Sequence, residues 1–159
     1  MPLLDAIKDK NINVRSTAVL LLGDTDDVRV VEPLLSASKD TNSEVRRAAI
    51  AGLGRLKKVK DQRITPALIT ALQDEDTRVR TSAIEVLGKR GEDSAVEPLL
   101  ALINDPDSNV SWFVITALGR LGQPQALPIL TSLLENDNYN SGVINKAIER
   151  IKQKQTSPA

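Results

Sequence analysis

The sequence contains no cysteine and no histidine, and little of its apolar content is aromatic. Without these side chains the chain has no disulfide, no thiolate nucleophile, no imidazole base and few of the ligands that transition metals prefer. Aromatic residues make up 2% of the 159 residues, whereas hydrophobic residues as a whole make up 41%. We therefore expect a core of closely packed aliphatic side chains, with no catalytic residues, no metal site and no cofactor.

Net charge and long hydrophobic runs are also missing. Twenty-one Lys and Arg residues balance 21 Asp and Glu residues, which disfavours nucleic acid or an anionic membrane surface as a partner. No stretch approaches the roughly 18 apolar residues of a membrane helix, and residues 1–5 do not resemble the start of a signal peptide. These features predict a cytoplasmic protein that does not bind membranes.

One motif recurs along the chain at a nearly constant interval. The pattern Val-Arg-x-x-Ala-x-x-x-Leu-Gly occurs three times, a degraded fourth copy follows, and an Asp lies five residues before each copy. The copies begin 31, 34 and 31 residues apart, at Val14, Val45, Val79 and Val110. Such a period is typical of a solenoid built from one repeated supersecondary unit. It predicts similar surroundings for the four valines.

Within each copy the apolar spacing is helical. Val110, Phe113, Val114, Ala117 and Leu118 follow the i, i+3, i+4, i+7, i+8 pattern of one helix face. We call this longer helix B, and a shorter helix A precedes it. A proline recurs near the predicted start of helix A, where a missing N–H costs little, at Pro33, Pro66, Pro98 and Pro128.

Turn and cap signals bound these helices. Polar segments at 40–43 and 105–108 supply N-cap candidates for helix B. A glycine near its end permits either a close helix approach or a left-handed cap, at Gly54, Gly88 and Gly119. The predicted fold is all-α, a right-handed α-α superhelix of about five two-helix repeats in one domain over 1–153. The repeats are expected at 1–23, 24–54, 55–88, 89–119 and 120–153, with a polar tail at 154–159.

The repeated unit resembles the HEAT-like repeats of the phycobilin lyase type over almost the whole chain. The resemblance implies a hydrogen-bonded ladder between neighbouring units, formed by the Asp and by the Arg six residues after it. The matching pairs are Asp9 with Arg15, Asp40 with Arg46, and Asp74 with Arg80. The fourth unit keeps Asp105 but carries Ser111 in place of Arg, so the ladder is expected to be weaker there. A structural role for these residues is favoured over a catalytic one.

Positions two, six and ten after each repeat Val are expected to line the concave surface of the superhelix. Trp112 occupies one of them, where the other copies carry Ser, Arg or Thr. It is either an exposed partner anchor or a side chain that packs on the atypical fifth repeat, and both interpretations stay open. Phe113 is expected in the core. The predicted partner-binding residues are Trp112, Thr116, Arg120, Arg47, Glu85 and Lys89.

Three charged clusters favour ordinary surface over a site. The basic run from Arg55 to Arg63 has no interleaved aromatic residue, so a solvated loop is favoured over a nucleic-acid contact. The carboxylates at 74–76 and 105–107 lack the length and spacing of a calcium loop, and helix capping explains them.

The sequence favours a non-enzymatic interaction or scaffold module that holds a protein or peptide on its concave face. The alternative, implied by the resemblance alone, is a bilin lyase subunit or a factor that handles phycobiliproteins, with a bilin or a phycobiliprotein as its partner. The shortage of aromatic residues that would sandwich a tetrapyrrole argues against it. A sensor arm of a larger regulatory protein is a third possibility.

Overall fold

The computed structural model describes residues 2–135 and 140–156, which form ten α-helices and three short 3₁₀ helices. Short and long helices alternate in the order that the repeat predicts. The α-helices are α1 (Pro2–Ala6), α2 (Ile12–Leu22), α3 (Val31–Ala37), α4 (Ser43–Arg55), α5 (Ile64–Ala71), α6 (Thr77–Arg90), α7 (Val96–Leu100), α8 (Ser108–Leu121), α9 (Leu127–Leu133) and α10 (Ser141–Thr156). The 3₁₀ helices Val28–Val30, Asp93–Ala95 and Pro124–Ala126 lead into α3, α7 and α9.

The chain forms two compact units, Met1–Val86 and Leu87–Ala159, and α6 contributes residues to both. A single domain over 1–153 stays a prediction. The polar tail from residue 154 also stays a prediction, and α10 continues through Thr156. Residues 157–159 lie outside the described part of the chain.

The turn and cap signals act where the sequence places them. The Asn42 side chain accepts the N–H of Glu44 at 2.9 Å and begins α4, and Asp107 accepts the N–H of Asn109 in the same way at α8. Each repeated proline lies in the first turn of a short helix, where its missing N–H would have no intrahelical partner. The caps confirm the starts of α4 and α8 that the polar segments predict. The prolines confirm the position expected for them near the start of helix A.

The repeated glycines permit close approach between neighbouring B helices, one of the two roles left open. A Cβ built on Gly54 would lie 2.6 Å from Cγ2 of Val86, and one on Gly119 would lie 2.8 Å from Cα of Ala147. Gly88 faces Ala117 in the same way, at 2.9 Å from its Cβ. The left-handed glycines of the described chain are others, Gly91 and Gly122, with φ of 73° and 74°.

The repeated valines do not all share the same surroundings. Val45, Val79 and Val110 are at most 1% exposed, whereas Val14 is 39% exposed. The expectation is therefore wrong for the first copy. Val14 and Leu21 of α2 occupy the positions that pack against a neighbouring helix in the later copies. The five-residue helix α1 leaves both of them exposed.

This difference predicts unequal effects of one substitution. Val45→Ala is expected to lower the free energy of unfolding by about 2 kcal/mol, because two buried methyl groups are lost and a cavity remains. Val14→Ala removes the same atoms from a half-exposed site and is expected to cost less than about 0.5 kcal/mol. Urea denaturation of both variants checks this. Equal losses would contradict the burial of the two sites.

The ladder arginines connect consecutive repeats within the first unit. Arg15 donates from Nε and Nη2 to the two carboxylate oxygens of Asp40, both at 2.9 Å. Arg46 donates in the same way to Asp74, with both distances 2.8 Å. Each guanidinium therefore binds the carboxylate of the next repeat in a fork, which fixes both distance and orientation.

The Asp of an arginine's own repeat contributes its backbone instead. Arg15 donates to the carbonyl of Asp9 at 2.9 Å, and Arg46 donates to that of Asp40 at 3.0 Å. Arg80 likewise donates to the carbonyl of Asp74 at 3.0 Å. The arginines therefore link neighbouring units, as the resemblance implies, and the carboxylate partner of Arg15 and of Arg46 is the Asp of the next repeat, 25 or 28 residues downstream. In the second unit the Asp105 carboxylate accepts the N–H of Asp107, and Ser111 is buried.

The pairing of Asp40 makes stability depend on pH. Burial alone would raise the pKa of the Asp40 carboxyl, but hydrogen bonds from Arg15 and from the N–H of Asn42 outweigh it and hold the pKa below the ordinary value. A carboxyl with a lowered folded-state pKa stabilises the fold above its unfolded pKa of about 3.9. That contribution is lost as the pH falls through the folded-state pKa.

Asp40→Asn is therefore expected to reduce stability by about 1.5 kcal/mol at pH 7, since a charge-assisted hydrogen bond is lost. The gap between the wild type and this variant is expected to close over the acidic range below the unfolded-state pKa of about 3.9, because protonated Asp40 has lost the same charge. Urea denaturation across this range measures it. A gap that stays constant with pH would show that Arg15 does not stabilise the ionised form.

Candidate functional site

Two B helices of the second unit, α8 and α10, enclose a groove. Trp112, Thr116 and Arg120 lie one turn apart along α8 and form one wall. The other wall comes from α10. Its lining residues are Val143, Lys146, Ala147 and Arg150, followed by Gln153 and Lys154. We call this site the α8–α10 groove.

The groove consists of two open cavities that share Arg120 and Arg150. The cavity beside Trp112 has a volume of about 230 Å³, and the one toward the end of the helices, lined also by Gly119 and Lys154, measures about 490 Å³. Ligand pockets for small molecules are usually enclosed and largely apolar. These cavities are open, and most of their lining residues are polar or charged.

Trp112 lies at the edge of the groove and is 46% exposed. Its ring meets that of Phe113 edge to face, with centroids 5.0 Å apart and an interplanar angle of 87°. Phe113 is itself half-buried, so its placement in the core is wrong. Trp112 thus lies beside the fifth repeat, which agrees with the packing interpretation. Much of its side chain is also accessible, which agrees with the interpretation as an exposed anchor.

Thr116 and Ala147 lie at the base of the two walls, which we call the floor, and are less accessible than Trp112 at the edge. The hydroxyl oxygen of Thr116 is buried and forms no hydrogen bond within the described residues. Ala147 is buried where it contacts Gly119. Trp112 and the long cationic side chains of Lys146 and Arg150 are, in contrast, accessible parts of the groove.

The α10 wall is absent from the sequence-predicted site, because the motif has disappeared from the fifth repeat. The helix packing restores the alignment. Ala147 lies against Gly119 as Ala117 lies against Gly88, so Ala147 corresponds to Ala117. Counting from Ala147, Lys146 continues the column of Thr116 and Arg150 continues that of Arg120. The i, i+3, i+4, i+7 spacing of the α10 wall from Val143 was the available sequence signal.

The remaining predicted partner-binding residues lie elsewhere. Arg47 and Glu85 belong to the first unit, where Arg47 forms an ion pair with Glu44 one turn earlier, at 2.9 Å. Lys89 is an exposed residue near the end of α6 and is not among the described residues that line either cavity. The structure thus brings together three of the six predicted residues: Trp112, Thr116 and Arg120.

A cation at the end of the groove stabilises the wall itself. The Lys154 ammonium donates to the backbone carbonyls of Arg120 at 2.8 Å and of Leu121 at 3.1 Å. These carbonyls belong to the last turn of α8, where a positive charge satisfies free acceptors and opposes the helix dipole. Lys154 therefore ties α10 to the end of α8.

The described residues hold no cluster of three or more carboxylates that would bind a metal ion. In the same part of the chain no helix combines the length and the hydrophobicity needed to cross a bilayer.

Three of the solved structures that share the fold illustrate the similarity. One is the complex of CpcE and CpcF of phycocyanin lyase from Nostoc sp. PCC7120, with a TM-score of 0.79 and 22% identity over 98% of this chain and 65% of that one. The YibA protein of Escherichia coli has a TM-score of 0.73 and 24% identity, over 96% and 55% of the two chains. A designed armadillo repeat protein for modular peptide recognition gives 0.63 and 20%, over 96% and 80%.

The chain thus spans less than two thirds of the CpcE–CpcF and YibA chains that it matches. No curated protein sequence matches it. A family model described as HEAT repeats matches residues 1–64 and 65–152. Together with the alternating short and long helices, this match shows that the chain belongs to the HEAT repeat family.

Proposed function

We propose that this protein is a non-enzymatic interaction module that binds a protein or peptide segment in the α8–α10 groove. The observation that carries the proposal is the position of Trp112, which is 46% exposed at the edge of an open groove. A large exposed aromatic side chain beside arginine is the usual composition of an interface hot spot.

The architecture supports the same conclusion. The groove is open along two helices, as an extended segment requires. Neighbouring side chains at its rim offer apolar contact through the indole and polar contact through Arg120 and Arg150. Designed armadillo repeat proteins of the same fold serve modular peptide recognition.

Selection from a random peptide library, followed by affinity measurement, tests the proposal. Trp112→Ala is expected to weaken a selected peptide by about 30-fold, since a hot-spot tryptophan contributes about 2 kcal/mol. The matched control is Leu21→Ala, which removes a side chain that is 49% exposed in the first unit and is expected to leave affinity unchanged. Peptides that bind the wild type and Trp112→Ala equally would contradict the groove as the site.

The single tryptophan provides a direct signal for the same experiment. Indole emission of the free protein is expected to respond to a soluble quencher, because Trp112 is accessible. Bound peptide is expected to shift the emission to shorter wavelength and to protect it from the quencher. An emission maximum that is already blue-shifted and unquenched in the free protein would contradict an exposed anchor.

The alternative function is that of a bilin lyase subunit or a factor that handles phycobiliproteins. Its support is the fold shared with the phycocyanin lyase chains CpcE and CpcF. The groove presents one tryptophan to a ligand and no second aromatic wall among its described lining residues, which favours the peptide-binding function. Titration with a bilin separates the two, because only the alternative expects a changed visible absorption.

A further inference from the structure

Cations dominate the α8–α10 groove. Four of its described lining residues are basic and none is acidic: the basic ones are Arg120, Lys146, Arg150 and Lys154. The single carboxylate of α10, Glu149, is exposed but is not among the described lining residues. Because Lys154 is held by the carbonyls at the end of α8, Arg120, Lys146 and Arg150 are the lining cations whose side chains bind no other described residue.

These three cations differ from the arginines of the first unit. There, seven arginines each form an ion pair with Asp or Glu at 2.5–3.4 Å: Arg15, Arg29, Arg46, Arg47, Arg55, Arg63 and Arg78. Within residues 2–135 and 140–156, neither Arg120, Lys146 nor Arg150 has a carboxylate within ion-pair distance. In a chain with equal numbers of acidic and basic residues, a groove with three cations that no described carboxylate matches is locally positive.

We propose that the α8–α10 groove selects an acidic peptide segment. Carboxylates of the segment pair with Arg120 and Arg150, which line both cavities from opposite walls, and an adjacent apolar side chain packs against Trp112. Arginine binds a carboxylate through two parallel hydrogen bonds and so fixes the orientation of the segment. This inference rests on the proposed function and adds to it the charge of the partner.

The arrangement fits protein carboxylates better than nucleic acid. Single-stranded nucleic acid is bound by several aromatic side chains on which successive bases stack. The groove offers Trp112 alone among its described lining residues, and Phe113 beside it is half-buried. A nucleic-acid surface also follows a long row of phosphates, whereas this positive surface is two helix faces wide.

Paired peptides test the charge directly. A short fluorescent peptide with a central Leu-Phe flanked by Glu is compared with the peptide in which every Glu is Gln, which keeps side-chain size and removes charge. Anisotropy titration at two salt concentrations is expected to show tighter binding of the Glu peptide, weakened by salt. Arg120→Gln and Arg150→Gln are each expected to weaken the Glu peptide about tenfold and to leave the Gln peptide unchanged.

A matched control separates local charge from net charge. Arg29→Gln together with Arg47→Gln removes two arginines of the first unit, which pair with Asp27 and Glu44, and is expected to leave binding of the Glu peptide unchanged. A variant with reversed charges in the groove provides a gain of binding, which an unfolded protein would not show. Arg120→Glu with Arg150→Glu is expected to lose the Glu peptide and to bind the matching Lys peptide.

The outcomes separate this inference from the proposed function. Equal affinity for the Glu and Gln peptides, with loss of both in Trp112→Ala, would overturn acidic selection and leave peptide binding intact. A wild-type protein that binds neither these peptides nor any selected from a random library would overturn both. A single-stranded oligonucleotide that displaces the Glu peptide at physiological salt would replace the carboxylate by phosphate as the ligand.

Discussion

Replacing Arg46 by methionine is expected to lower the free energy of unfolding by about 3 kcal/mol, because the part-buried Asp74 carboxylate then loses its counter-charge. The Arg46 side chain is 10% exposed and that of Asp74 is 12% exposed. Arg46 also donates to Glu75 and to the carbonyls of Asp40 and Thr41. Methionine retains much of the aliphatic volume, so the loss reports on the guanidinium. Urea denaturation at pH 7 measures it.

The next residue provides the control. Arg47 forms its ion pair with Glu44 on the surface of the same helix, and its side chain is 43% exposed. Arg47→Met is expected to cost less than about 0.5 kcal/mol, since an exposed ion pair of this kind contributes little. Replacement of both partners, Arg46→Met with Asp74→Asn, is expected to recover part of the loss, because no part-buried charge is then left without a partner. Equal losses for Arg46→Met and Arg47→Met would contradict the ladder as a buried connection.

The sequence predicts the helix pairs correctly because their signals are local. Apolar spacing along α8, the cap at Asn42 and the proline in each short helix act over one or two turns. The ladder instead depends on contacts between residues that are 25 or 28 positions apart in the sequence. The six-residue spacing within a repeat shows that Asp and Arg belong together, but the arginine side chain extends to the next repeat. Only the packing of consecutive repeats determines that direction.

The candidate site is likewise predicted only in part, because one of its walls depends on helix packing and has no sequence motif. The α8 wall is predicted because the motif of α8 aligns with three other copies, which carry Ser, Arg or Thr at the position of Trp112. The α10 wall has no motif left to align, and its register follows from the contact between Gly119 and Ala147. The exposure of a repeated residue also depends on which helix packs against it and not on its own motif. Val14 has the same motif as Val45, yet nothing in the motif tells which copy lacks a covering helix.

The contact between Gly54 and Val86 supports a second prediction of large effect. Gly54→Val is expected to lower the free energy of unfolding by about 3 kcal/mol, because even its Cβ would lie 2.6 and 2.7 Å from the two methyl groups of Val86. Neighbouring α4 and α6 would have to separate, and the aliphatic packing between them would be lost. The same denaturation experiment measures this effect.

An exchange of the two residues isolates the cause. Gly54→Val combined with Val86→Gly places the same side chains on opposite helices and conserves both total volume and the number of glycines. A volume-conserving exchange of this kind typically costs less than about 1.5 kcal/mol, so the double variant is expected to recover at least half of the loss. Val86→Gly alone leaves a cavity and is expected to destabilise the protein as well, so recovery in the double variant requires direct contact between the two sites. If the two losses simply add, then Gly54 is retained for a reason other than the close approach of α4 and α6.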